Sequence, residues 1–156
     1  MKTILTAILL LIGFVSFAQK KYPPRKPHSI YDSTLAKKLK ADDYGMRKYV
    51  ICFLKTGPNK SLSADSSKKI QAAHLKNIKD LANQGKLVVA GPFMDETELE
   101  GIFIFNVTTI EEAQALTNTD PAVKAGVLIM ELHPWYGSAA LIEVPMIHKK
   151  VQKKSF

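Results

Sequence analysis

Four stretches of the chain are apolar without interruption: YVICFL at 49–54, LVVA at 87–90, IFIF at 102–105 and VLIM at 127–130. Each is short and bounded by turn residues, the signature of a strand buried on both faces. Between the first two lies a segment of helical period. Ile70, Leu75, Ile78, Leu81 and Ala82 fall on one arc, with Lys69, Lys76, Lys79, Asp80 and Asn83 opposite. Ser63, Asp65 or Ser66 is expected to cap this helix and Gly85 to end it. A second helix is predicted from Thr108 or Thr109 to about Leu116, with Glu111 and Glu112 at capping-box spacing. Asp120-Pro121 starts a further helical turn that Gly126 ends.

The predicted order is strand, long helix, strand, strand, helix, strand: an α+β fold, the ferredoxin-like βαββαβ arrangement with one antiparallel sheet. Both helices lie on one face of such a sheet, whereas successive strand residues point to opposite faces. The second face is then an apolar surface larger than soluble monomers expose. Either a second copy of the chain or the flanking segments must cover it, and we expect a homodimer.

The flanks differ from this domain, which covers residues 47–137. Residues 1–19 carry Lys2, an apolar run from Ile4 to Phe17 and a small-residue end, the pattern of a cleaved signal peptide. The run is too short for a stable membrane span, and the expected location is periplasmic or secreted. Residues 20–46 read as a proline-bearing linker followed by a short helix over 32–43, and 138–156 as a C-terminal extension with a basic tail. Within that extension, residues 139–147, AALIEVPMI, suggest an additional edge strand limited by Pro145.

The net charge of +8 sits on these flanks, because the segment from Arg47 to Gly137 holds ten basic and ten acidic residues. No basic stripe belongs to the folded part, so nucleic acid is excluded as a partner. Cys52 is the sole cysteine and lies in a strand, which rules out an internal disulfide and points to a buried, inert thiol. The sequence has no zinc spacing, phosphate loop or serine elbow, and no metal or cofactor is expected.

One residue breaks the apolar arc of the long helix. His74 lies inside it, where an imidazole without a partner loses about 1–3 kcal/mol of uncompensated solvation. The sequence from Ala72 to Glu96, AAHLKNIKDLANQGKLVVAGPFMDE, followed by EGIFIFNVTTIEEAQALTNTDPAVKAGVLIMELHPWY, resembles the YCII-related (YciI-like) family over residues 47–137. The resemblance implies a dimeric α+β barrel related to muconolactone isomerase-like proteins. It also implies a site made of the helix histidine and an aspartate near the Gly-Pro turn, here His74 and Asp95. The implied chemistry is general acid/base catalysis on a small-molecule ligand, with Asp95 orienting the ring. The alternative is a satisfied core histidine, in a non-catalytic protein that binds a small ligand between sheets. Phe93, Trp135 and Tyr136 are candidate walls of the ligand site, with packing as their other reading.

Overall fold

The computed structural model describes residues 30–95 and 97–155. The expected signal peptide and most of the expected proline-bearing linker lie outside the described residues. Helix α1 (Ser33–Leu39) starts where the Asp32 carboxylate accepts hydrogen bonds from the Thr34 and Leu35 amides, both at 2.9 Å. The domain then runs β1 (Met46–Thr56), α2 (Ala64–Asn83), β2 (Leu87–Pro92), β3 (Leu99–Phe105), α3 (Ile110–Thr117), α4 (Pro121–Lys124) and β4 (Leu128–Ser138). The caps follow the sequence: Ser63 accepts from the Ser66 amide, and Thr109 and Glu112 form a complete capping box. Gly85, just beyond α2, takes φ +68°, a conformation costly for any side chain.

The four strands form one antiparallel sheet in the order β2-β3-β1-β4, the ferredoxin-like arrangement. Two strands run longer than their apolar cores suggest. β2 continues to Pro92, which pairs with Gly101 at the last position, and β4 passes straight through Pro134. β4 is an edge strand, so the missing amide of Pro134 leaves no ladder partner unsatisfied.

The uninterrupted apolar runs divide between two cores. Val50, Cys52, Leu54, Phe103 and Phe105 face the helices and pack with Leu81 and Ala113. On the other face Tyr49, Val88 and Ile104 are buried with Ile51, Val89 and Trp135 against Leu141 and Ile142. The last two come from the C-terminal extension, which corrects the expectation of an edge strand at 139–147. Residues Ala139–Glu143 form a 3-10 turn and Val144–Val151 helix α5. Two local features dictate this. Ser138 accepts from the Ala140 amide and turns the chain, and Pro145 sits in the first turn of α5, where its missing donor costs nothing. A flanking segment therefore covers one end of the second face. The other end, with half-buried Phe53 and Ile102 and exposed Ile129, has no cover within the described chain.

Burial also settles the state of Cys52. Its side chain is fully buried, and burial, reinforced by the carboxylates of Asp120 and Glu131, pushes the thiol from 9.0 up to about 12. Folding therefore opposes ionisation, so the thiol costs no stability below pH 9 and destabilises the fold increasingly as pH rises toward 12. Native protein at pH 8 is expected to resist a thiol-specific reagent that labels the denatured chain fully; rapid native labelling would contradict the burial.

Candidate active site

Helix α2 carries its apolar arc toward the sheet, and this brings His74 beneath it with 7% of its surface exposed. The ring lies nearly parallel to Phe103, with centroids 6.1 Å apart and planes inclined by 19°. Its Nδ1 is 2.7 Å from Oδ2 of Asp120, a residue with no exposed surface. Asp120 stands at the start of α4, and its other oxygen, Oδ1, accepts the Ala122 amide at 2.8 Å. One carboxylate thus caps a helix and holds an imidazole. A carboxylate only accepts, so in the neutral ring the proton sits on Nδ1 and the lone pair on Nε2. Nε2 makes no hydrogen bond among the described residues.

A neighbouring bond braces the pair. Asn77, one turn along α2, donates from Nδ2 to Oγ1 of Thr119 at 2.9 Å. Thr119 precedes Asp120, so α2 is fastened to the α3–α4 junction at two adjacent points. The site is thereby held by helices rather than by a loose loop.

His74 lines a cavity of about 430 Å³ between α2 and the sheet. Leu54, Leu75, Ile78, Phe103 and Leu128 make most of its wall, and Gly91, Pro92 and Gly101 contribute where β2 and β3 meet. The polar lining comes from Gln71, His74 and Glu100. The volume and the mainly apolar wall with few polar groups are those of a small-molecule site.

The other sequence-predicted site residues lie elsewhere. Asp95 is exposed in the loop after β2, where its carboxylate accepts from the Thr97 hydroxyl at 3.3 Å. The partner of His74 is therefore Asp120 and not Asp95, since Pro92 carries the chain out of the sheet before Asp95 is reached. Phe93 follows the strand end, is 39% exposed and does not line the cavity. Trp135 belongs to the opposite sheet face, packed on Tyr49 with ring centroids 5.8 Å apart. Tyr136 donates its hydroxyl to Asp42, and this bond, with the Met46 amide, draws the Asp42 carboxyl below its usual range. None of these three touches the space beside His74. Asp120 was visible in the sequence as a helix cap, and nothing there marked its second oxygen as a ligand for His74.

The match to the family model for the YCII-related domain spans residues 48–136, from the second residue of the predicted domain to its last but one. The chain belongs to the YCII-related family. The YCII-related domain thus contains the whole sheet except its extreme ends, helices α2, α3 and α4, and the His74–Asp120 pair. No curated protein matches the chain at a significant level. Among solved structures it is similar to 5-chloro-2-hydroxyhydroquinone dehydrochlorinase from Burkholderia phenoliruptrix AC1100, in complex with 2,5-dihydroxybenzoquinone. Sequence identity is 22% over 55% of this chain and 92% of that one, at a TM-score of 0.41. No helix among the described residues is long and apolar enough to cross a membrane.

Proposed function

We propose that this YCII-related protein is an enzyme for small organic molecules, of isomerase, lyase or hydrolase type, in which His74 moves the proton. The observation that carries the reading is the 2.7 Å contact between His74 Nδ1 and Asp120 Oδ2 beside an apolar cavity. As base, Nε2 accepts a proton from an acidified C–H or O–H of the ligand, and the electron pair stays on the ligand as an enolate or oxyanion. The imidazolium so formed is stabilised by Asp120 and returns the proton at a second position. Asp120 is a positioning residue, and His74 is the catalytic one.

The test is exchange of hydrogen for deuterium at activated C–H bonds of a panel of small enolisable carbonyl compounds, followed by NMR. Wild-type protein should accelerate exchange of at least one compound, and His74→Gln should slow it by roughly 10²- to 10⁴-fold, the range of general acid/base catalysis. Equal rates for the two proteins would remove His74 from the chemistry. Binding without any acceleration would favour the alternative, a non-catalytic ligand-binding protein.

We further propose that two copies pair through the uncovered end of the second face, supported by Phe53, Ile102 and Ile129 on neighbouring strands. Ile102→Asp should convert the dimer to a monomer in sedimentation equilibrium while leaving the circular dichroism spectrum unchanged. A wild-type monomer would refute the pairing. Export of the chain is likewise proposed, on the pattern of residues 1–19. A mature protein that retains Met1 in its intact mass would refute cleavage.

A further inference from the structure

The polar end of the cavity is built by an irregularity in the sheet. Leu54 of β1 pairs with Gly101, yet the following residue, Lys55, pairs with Leu99, so Glu100 is the extra residue of a β-bulge. Bulges re-aim a side chain that regular alternation would send to the opposite face. Here Glu100 lines the cavity together with Leu54 and Gly101, its neighbours in the bulge. Its carboxylate oxygen Oε1 accepts from the Thr56 hydroxyl at 2.5 Å, which fixes the side chain at the mouth and leaves Oε2 without a hydrogen bond among the described residues. Among the described residues no lysine or arginine contributes to the lining, where Glu100 is the one acidic group and His74 the one basic group.

We propose that Glu100 determines the specificity of this cavity, which takes a small, mainly apolar molecule presenting a hydrogen-bond donor, an ammonium or a hydroxyl, to the Glu100 carboxylate. Carboxylate-bearing molecules of the same size are excluded, because they place a like charge beside Glu100 with no lysine or arginine to offset it. The proposal rests on the cavity being the ligand site of the acid/base reading. It adds what that site selects.

Three probes with a common phenylethyl skeleton test it: 2-phenylethylamine, 2-phenylethanol and 3-phenylpropionate, each titrated into the full protein while the amide resonances of Gly91, Gly101 and Phe103 are followed. In the wild type the amine and the alcohol should shift these resonances and the carboxylate should not. Glu100→Gln should weaken the amine by about tenfold, the lower end for a hydrogen bond to a charged group, as befits a solvent-reached site. The same variant should admit the carboxylate, and Glu100→Asp should restore part of the preference. Response to the amine alone assigns a cationic ligand and response to both donors a hydroxyl-tolerant site; either result supports the selection. Equal binding of the carboxylate to wild type, an unchanged preference in Glu100→Gln, or no response to any probe overturns it. The imidazole resonances of His74, recorded on the same samples, report the His74–Asp120 arrangement independently, so loss of the selectivity leaves that pair separately measurable.

Discussion

Asp120→Ala is expected to destabilise the domain by roughly 2–4 kcal/mol, a large part of the 5–15 kcal/mol typical of a folded domain. Two losses add. The buried His74 ring is left with an unmet Nδ1, at about 1–3 kcal/mol, and α4 loses the side chain that caps it, at about 1 kcal/mol. Asp120→Asn separates the two roles. An amide has one oxygen, so if that oxygen keeps the Ala122 amide, the NH₂ group faces Nδ1 and drives the ring proton to Nε2. If the amide turns over, the ring keeps its tautomer and the cap is lost. Chemical denaturation measures the first effect, and an Asp120→Ala protein as stable as wild type would show that the 2.7 Å contact contributes nothing to the fold.

Gly101→Ala is expected to cost about as much, for a reason of space rather than conformation. A Cβ at Gly101 would lie 2.5 Å from the Gly91 carbonyl oxygen and 3.1 Å from the Pro92 Cα, both main-chain atoms of the paired strand. Neither can swing aside as a side chain would, so β2 must separate from β3 where both line the cavity. Overpacking of this kind costs roughly 1–3 kcal/mol, and a backbone obstacle places the change at the upper end. Gly91→Ala is the control: its Cβ meets nothing within 4 Å, and the variant should melt within a few degrees of wild type, since about 0.5 kcal/mol is usual for an uncrowded site. A Gly101→Ala protein as stable as this control would show that the two strands are not so closely set.

The cavity's histidine was legible because its position is a matter of helical period. Ile70, Leu75, Ile78 and Leu81 fix the buried arc of α2, and His74 falls inside it whatever the rest of the chain does. Its partner was not legible, because pairing across 46 residues depends on how α4 docks on α2, which no local pattern encodes. The loop at Asp95 is nearer in sequence, but its carboxylate stays in solvent. The bulge at Glu100 was hidden for a related reason: LEGIFIF reads as an ordinary strand, and only the pairing with β1 reveals one residue too many. The two-sided apolar strands pointed to a cover opposite the helices, and the C-terminal extension supplies one over part of that face. What covers the second face is ambiguous in AALIEVPMI, whose apolar residues suit a strand or a helix equally; Ser138 and Pro145 turn it into helix, and Leu141 and Ile142 follow onto the sheet.

The most direct test of the account is the tautomer of His74, read from long-range proton–nitrogen correlations of the imidazole in wild-type protein and in Asp120→Asn. In wild type the neutral ring should carry its proton on Nδ1, with Nε2 an unprotonated acceptor toward the cavity. In Asp120→Asn the proton should move wholly or partly to Nε2. A wild-type ring protonated on Nε2, or an unchanged tautomer in an Asp120→Asn protein that also keeps its α4 cap, would contradict the role assigned to the pair.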